Sequence, residues 1–217
     1  MEVADVEDLK IYFYDNFLTT ESILESKEKD AYVNWLLGEL QISTGIESGG
    51  SEHLYYDNEI FNPMYSELIV KLRMNSLNDV KAFFGFRQNI TEPDDTMLES
   101  HCGIYVKNGK VYFTTGCLVG MDYYQQKTEI VGLDMTKTYE FKFAYDKLYI
   151  KPLPQTEQYL GLPTIKAVER VWKLLLQNST YPPNNQYHWI TAFIKNNVGS
   201  EKVLYLNRII YKEEYAD

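Results

Sequence analysis

Short segments in which apolar and polar residues alternate recur along most of this chain, and they constrain its fold more than any other feature. Twelve segments are rich in β-branched and aromatic residues and follow the two-residue period of a strand. Turn signals separate them, and Asn108-Gly109 is the strongest of these. A dozen short strands at this spacing predict an antiparallel β-sandwich or barrel. The predicted strands are 9–15, 39–44, 53–57, 66–74, 80–88, 103–107, 110–115, 127–133, 138–146, 147–153, 187–196 and 202–212.

One segment departs from this pattern. Residues 163–177 begin with a proline, which suits the first turn of a helix, and their apolar residues recur at helical spacing. The sequence therefore predicts one amphipathic helix, inserted near 163–177 and packed on the sandwich. No Pro/Gly/Ser-rich linker divides the chain, so we expect a single domain over residues 1–217 with a core at about 10–212.

The charge of the chain argues against two classes of partner. Its 31 acidic and 21 basic residues give a net charge of −10, and no basic stripe is present. A protein that binds nucleic acid or anionic lipid needs such positive charge, so we expect neither nucleic acid nor membrane insertion. The N-terminus lacks the features of a secretory signal, and no segment of the sequence is long and apolar enough to cross a bilayer. Assembly into a virion or at a cell surface is favoured over a free cytoplasmic enzyme.

The two cysteines, Cys102 and Cys117, flank the Asn108-Gly109 turn. A two-residue turn there pairs Cys102 with Thr115, which leaves the cysteines as diagonal neighbours on one face, about 7–8 Å apart. A disulfide needs closer Cβ atoms, so a regular ladder predicts two buried thiols, whereas a bulge in either strand would allow a Cys102–Cys117 bond.

Several phrases of the sequence occur in a characteristic order. The chain opens with YDNFLTTESILESKEKDAYVNW, continues through SELIVKLRM, VKAFFGFRQ, GIYVKNGKVYFTT and KTEIVGLDMTKTYEFKFAYDKLYI, and closes with YHWITAFIKNNVGSEKVLYLNRIIYK. In this order they resemble the concanavalin A-like lectin/glucanase superfamily of laminin-G type. The resemblance covers about residues 10–212 and implies an all-β, antiparallel jelly-roll β-sandwich. The superfamily contains lectins, glycosidases, lyases, adhesion modules and virion proteins, so the fold leaves the function open.

A glycosidase of this superfamily is expected to carry Glu-x-Asp-x-Glu on one strand, which places three acids on one face. The chain contains no such run. In the nearest candidate, Glu92, Asp94 and Asp95 are interrupted by a proline in a predicted loop. Glu129 and Asp134 are five residues apart and would face opposite sides of a regular strand. A glycan-cleaving enzyme, either a glycoside hydrolase or a lyase with unconventional acids, is therefore the alternative function.

The same acidic loop, TEPDDTMLES at residues 91–100, is a candidate for Ca²⁺, which takes six to eight oxygen ligands. Asp94 and Asp95 would be its main ligands, with Glu92 or Asp79 as further donors. The spacing of these acids is not that of an EF-hand. We therefore prefer a solvated loop that holds no cofactor.

Two segments predicted as loops, 120–127 and 179–189, combine tyrosines with amides. Such a mixture suits sugar recognition, because the ring stacks on the apolar side of a sugar while amides bind its hydroxyls, but it suits a protein interface equally well. We therefore predict a non-enzymatic lectin-like recognition or structural module, for example at a virion surface or capsid, that contacts glycans or neighbouring subunits of a homo- or hetero-oligomer. The predicted contact residues are Tyr123, Tyr124, Gln125, Tyr181, Asn184, Asn185 and His188.

Overall fold

A computed structural model describes residues 9–15, 23–36, 38–56, 61–89, 91–151 and 172–214. Within these ranges the chain forms fifteen strands in two antiparallel sheets and no helix. The strands, β1 to β15 in chain order, are Leu9–Asp15, Ile23–Glu28, Tyr32–Leu36, Glu39–Ser43, Ser51–Tyr56, Ser66–Met74, Val80–Arg87, His101–Lys107, Lys110–Val119, Asp122–Glu129, Tyr139–Ala144, Lys147–Lys151, Lys173–Gln177, Trp189–Asn196 and Val203–Glu214. Nowhere in these ranges is there a helix of membrane-spanning length and apolarity.

The strand order connects distant parts of the chain. The eight-stranded sheet runs β13-β12-β11-β6-β15-β4-β3, and β1 also pairs with β15. The seven-stranded sheet runs β10-β9-β8-β7-β14-β5-β2. The predicted all-β antiparallel sandwich is therefore confirmed. The single domain predicted for residues 1–217 includes segments outside the described residues and stays a prediction.

The hydrophobic core lies between the two sheets, and the strand period explains how it forms. On β7, Phe84 and Phe86 point inward and are at most 2% exposed. They belong to one cluster with Phe141 and Phe143 of the eight-stranded sheet and Phe113 of their own sheet, all fully buried. Burial of each such side chain stabilises the fold by about 1.5–3 kcal/mol. This core fixes which residues of the seven-stranded sheet must face away from it.

All twelve predicted strands are present, but one is misplaced. The strand predicted at 127–133 is in fact Asp122–Glu129, because the chain leaves the sheet where Ile130 turns into the core. Gly132 follows in a turn with φ at 81°. The strands β2, β3 and β13 were not predicted from the sequence.

The helix predicted near 163–177 is not found in the part that the structure describes. Residues 163–171 lie outside the described residues, and Lys173–Gln177 form β13 at the edge of the eight-stranded sheet. The register between β12 and β13 shifts by one residue, so Leu175 and Leu176 both pack against the core. This bulge gives two consecutive apolar positions, which breaks the alternation of a strand and makes the spacing look helical.

The hairpin of β8 and β9 has the predicted register. Asn108 and Gly109 both have positive φ, at 49° and 82°, as a type I′ turn requires. Cys102 pairs with Thr115 without a bulge. Cys102 and Cys117 are both buried and free, so they form no disulfide in this structure.

Two buried thiols predict a clear pattern of chemical reactivity. Burial raises the pKa of both Cys102 and Cys117, and the thiolate is the reactive form. We expect a disulfide-exchange reagent such as Ellman's reagent to react slowly with the native protein. Under non-reducing denaturing conditions it should then titrate both thiols. Recovery of no thiol after unfolding would show that a disulfide forms in solution.

Candidate functional site

One face of the seven-stranded sheet carries both aromatic and charged side chains, and a loop covers part of it. This outer face, which points away from the eight-stranded sheet, receives every second side chain of each strand. Its centre is a row of rings from five adjacent strands, placed side by side by the registers of the ladder. The row consists of Tyr112, Tyr105, Phe83, Phe193 and His53.

A row of lysines lies beside these rings on the same face. Lys81 pairs with Lys107 on one neighbouring strand and with Lys195 on the other. Lys127, on β10, places its Nζ 4.6 Å from the ring centroid of Tyr105. Lys110 on β9 pairs with Lys107 on the same face. A protein with a net charge of −10 thus gathers five lysines on one sheet face.

The acidic loop, residues 91–100, covers this part of the outer face. Met97 is 3% exposed and packs against Phe83, Tyr105 and Phe193. Burial of this side chain contributes about 1.5–3 kcal/mol to the contact between loop and sheet. The loop therefore rests on the aromatic row as a second, small hydrophobic cluster outside the main core.

Glu92 of the acidic loop bridges two lysines of the outer face. Its carboxylate lies 2.5 Å from Nζ of Lys81 and 2.8 Å from Nζ of Lys195. Partial burial raises the pKa of Glu92, but hydrogen bonds from Lys195 and Lys81 outweigh this effect and hold the pKa below its usual value. Glu92 is thus held in its ionised form.

Asp95 makes a second bridge. It accepts hydrogen bonds from Lys107 and from Lys127, the latter at 3.2 Å, and from the hydroxyl of Tyr105 at 3.4 Å. The bond from Lys107 is the main cause of the lowered pKa of Asp95. Exposed pairs of this kind are each worth about 0–1 kcal/mol.

The predicted calcium ligands are thus engaged with lysines. Asp94 lies 3.8 Å from Nζ of Lys81, and Asp95 is bridged as described above. Among the residues that the structure describes, no group of three or more His, Cys, Asp or Glu is arranged to hold a metal ion. Calcium binding by Asp94 and Asp95 stays a prediction, and calcium would have to displace these lysines.

Arg87 and Glu99 form a buried ion pair at the root of the acidic loop. Arg87 donates from Nε to Glu99 and, at 2.7 Å, from Nη1 to the carbonyl of Thr91. Their side chains are only 2% and 7% exposed. Burial raises the pKa of Glu99 above its usual value despite the opposing effect of Arg87. Oε2 of Glu99 is buried and has no hydrogen-bond partner.

His101 fixes the backbone next to this pair. Its Nδ1 donates to the carbonyl of Glu99 at 2.9 Å, so its Nε2 accepts from Thr114, 3.0 Å away. Burial lowers the pKa of His101 to about 3, which keeps the ring neutral. The root of the acidic loop is therefore anchored to β8 even if its tip moves.

Two of the predicted glycan contacts come together. Tyr124 and Tyr181 stack with ring centroids 5.1 Å apart, and Tyr123 is 46% exposed beside them in sequence. Residues 120–127, however, were predicted as a loop, whereas most of them belong to β10. The stacked pair joins the two tyrosine-rich segments at the edge of the seven-stranded sheet.

The other predicted contacts serve the fold. Asn184 accepts from the amide of Leu118 at 2.7 Å and donates to its carbonyl at 3.0 Å. Asn185 accepts from Asn62 at 2.9 Å, and Gln125 donates to Thr114 at 2.9 Å. His188 is buried, and its Nε2 lies 2.8 Å from the hydroxyl of Ser100. Glycan contact by these residues stays a prediction, because nothing in the described contacts tests it.

Sequence reasoning missed the most unusual groups of the outer face, Arg87 and Glu99, and the row of lysines. The sequence did contain an indication of them. Lys81 and Arg87 lie on one face of their strand, and every residue on its opposite face is apolar. On the neighbouring strands, Lys107 and Lys195 lie on this same face. Glu99 gives no such signal, since it lies in a loop.

Comparison with known proteins identifies the fold. No protein-family model and no curated protein matches the sequence. LamA from Z. galactanivorans, in complex with laminaritriose and laminaritetraose, matches with a TM-score of 0.61 at 11% identity over 95% of this chain and 100% of that chain. The β-glucanase of Bacillus licheniformis gives 0.55 at 14% identity over 95% and 99%. The metal-free carbohydrate recognition domain of Emp46p gives 0.54 at 8% identity over 91% and 94%. The fold is therefore the concanavalin A-like jelly roll that the order of segments predicted.

These comparisons correct the functional expectation. Laminarinases and a β-glucanase outnumber the lectin domain among the similar structures, which reverses the preference for a non-enzymatic lectin-like or structural module. They give no support to a virion role either. The expectation rested on the absence of three acids on one strand.

The buried pair predicts a specific pattern of stability. Arg87→Met should lower the free energy of unfolding by about 3–5 kcal/mol, because it leaves the carboxyl of Glu99 buried without its partner. The double variant Arg87→Met/Glu99→Met should lose much less, since both polar members of the buried pair are then removed. Denaturant unfolding of the three proteins measures this, and equal losses in both variants would contradict the pairing.

The buried histidines predict a loss of stability in acid. Burial lowers the pKa of His53 from 6.5 to about 4, so the unfolded chain binds a proton that the folded protein excludes over this range. The free energy of unfolding should therefore fall as pH drops from 6.5 to 4, by on the order of 3 kcal/mol for this histidine. In His53→Gln the decline should be shallower by that amount. An identical slope in wild type and variant would show that His53 titrates normally.

Proposed function

We propose that the protein is a glycan-cleaving enzyme that acts on the outer face of the seven-stranded sheet, with Glu99 as its proton donor. The observation that carries this proposal is the state of Glu99, a buried carboxyl whose Oε2 has no partner and whose pKa lies above its usual value. The fold supports it, because LamA with bound laminari-oligosaccharides and several laminarinases have the same architecture.

Glycoside hydrolysis needs one protonated and one ionised carboxyl group. The outer face brings together acids whose surroundings push their pKa values in opposite directions. Burial raises the pKa of Glu99, whereas lysines lower those of Glu92 and Asp95. Such opposed shifts are the pattern by which acid and base assignments are recognised.

Each group then has a defined role. Glu99 donates its proton to the glycosidic oxygen as the bond to the leaving sugar breaks. Asp95 or Glu92 attacks the anomeric carbon or removes a proton from the attacking water. Arg87 is a positioning residue, since it donates one hydrogen bond to Glu99 and another to the carbonyl of Thr91, which fixes where the acid points.

Aromatic side chains would hold the sugar rings. Phe83, Tyr105 and Phe193 lie under Met97, and beyond the loop Tyr55 and Trp189 are partly exposed with centroids 6.0 Å apart. Stacking on such faces orients a sugar through its apolar side. Because Met97 and Glu99 are buried, the acidic loop must shift before a glycan reaches the acid.

Incubation with neutral and acidic oligosaccharides, followed by chromatography of the products, tests the proposal. Wild type should release shorter fragments, and Glu99→Gln should lower the rate by a factor of about 10²–10⁴, the usual contribution of a general acid. Glu67→Gln is the matched control, because Glu67 pairs with Lys142 on the eight-stranded sheet, and it should cleave at the wild-type rate.

Two outcomes would contradict the proposal. One is a Glu99→Gln variant that is folded and cleaves as fast as wild type. The other is the absence of cleavage by wild type across the whole panel.

A further inference from the structure

The outer face carries an excess of positive charge that its own acidic loop conceals. Four lysines and Arg87 face the carboxylates of Glu92, Asp94, Asp95 and Glu99, and every one of these carboxylates lies within salt-bridge distance of one of these cations. All four acids belong to one ten-residue loop. Elsewhere on this face Lys110 pairs with Glu129, and Glu28 lies on the edge strand β2.

Two of these contacts have the same form. Glu92 sits between Lys81 and Lys195, and Asp95 sits between Lys107 and Lys127. Each pair of lysines is therefore a cradle for one anionic group, and we name them the Glu92 cradle and the Asp95 cradle. Between them Met97 fills the space above the aromatic row.

The contacts in the cradles can be exchanged for others. The side chains of Glu92 and Asp95 are 38% and 47% exposed, so water reaches both ion pairs. Such pairs are weak, and a competing anion displaces them readily. The root of the loop differs, because Glu99 and the neighbouring His101 are buried and bonded to the sheet. The tip is thus able to leave while the root stays.

From this arrangement we infer that the outer face binds an anionic glycan, a chain that bears carboxylate or sulfate groups, and that the acidic loop occupies its place in the free protein. The acidic groups of the glycan take over the Glu92 and Asp95 cradles, and a sugar ring replaces Met97 on the rings of Phe83, Tyr105 and Phe193. The inference deepens the proposed function and rests on it for the reaction, although not for the binding.

The exchange has a chemical consequence. A carboxylate held between two lysines is a poor nucleophile and a poor base, because both cations stabilise its negative charge. When the glycan takes the lysines, Asp95 and Glu92 are released with their charge unpaired. The substrate itself would then free the ionised group that the reaction requires, and a neutral glycan would not.

Binding by titration calorimetry tests the substrate class. The probes are an oligogalacturonate, a sulfated galactan oligosaccharide and a laminari-oligosaccharide of equal length. At least one acidic probe should bind ten or more times as tightly as the neutral one, and its affinity should fall as salt rises. The tighter acidic probe identifies carboxylate or sulfate as the recognised group. Equal affinity for all three, or preference for the neutral chain, would overturn the inference.

Variants locate the binding site. Lys107→Gln/Lys195→Gln removes one lysine from each cradle and should weaken binding of the acidic probe at least tenfold. Lys142→Gln/Lys151→Gln removes two paired lysines from the eight-stranded sheet and is the matched control. Equal losses in both double variants would mean that net charge alone drives the binding.

Competition by the loop makes an opposite prediction for its acids. Glu92→Gln/Asp95→Asn should bind the acidic probe several times more tightly than wild type, because the loop no longer holds the cradles. Glu39→Gln/Glu67→Gln makes the same change of net charge on the eight-stranded sheet, where these acids pair with Arg73 and Lys142, and should leave the affinity unchanged. Weaker binding by the first variant would show that the loop contributes to the site rather than blocking it.

Hydrogen exchange follows the loop directly. On addition of the acidic probe, the backbone amides of residues 96–98 should exchange faster, because the tip leaves the sheet. Slower exchange would mean that the glycan binds over a closed loop and would refute the displacement. These outcomes are separate from that of the cleavage assay. Binding without cleavage would refute the proposed function alone, and cleavage of neutral glycans alone would refute only this inference.

Discussion

The contact between the acidic loop and the outer face is the interaction on which the rest of this account depends. A sheet face that carries five lysines and a buried arginine beside aromatic rings is unfavourable unless anions approach it. The chain supplies those anions itself, and it adds Met97 as an apolar anchor. The contact therefore neutralises the positive charge of the outer face and also covers its aromatic rings.

The ion pair of Arg87 and Glu99 gives this contact its asymmetry. Its two side chains are buried, so separating them would leave a charge in a poorly solvated place. His101 then ties the carbonyl of Glu99 to β8. At the tip, by contrast, the carboxylates of Glu92 and Asp95 stay in contact with water. A loop with a fixed root and a weakly held tip is suited to opening without unfolding.

Much of the sandwich could be predicted from the sequence, because its determinants are local. Alternation along each segment places Phe84 and Phe86 in the core, and the Asn108-Gly109 turn fixes the register of β8 with β9. The edge strand β13 could not be predicted, since its bulge places Leu175 and Leu176 both half-buried against the core and removes the alternation. The strand β2 is mostly polar and β3 is only five residues long, so neither gave a clear pattern.

The site was harder to predict because it depends on contacts across the sheet. Asp95 is 32 residues from Lys127, and Glu92 is 103 residues from Lys195. From the sequence alone these acids form only a solvated loop or a calcium site. Their lysine partners are recognised only when the strand order brings β7, β8, β10 and β14 into one sheet.

A crystal structure of the Glu99→Gln protein with a bound acidic oligosaccharide tests the central claim most directly. The account predicts that acidic groups of the sugar lie within about 4 Å of the Nζ atoms of Lys107 and Lys195, which is the distance of an ion pair. It also predicts that Met97 has left Phe83. A sugar bound elsewhere, with Glu92 and Asp95 still between their lysines, would contradict it.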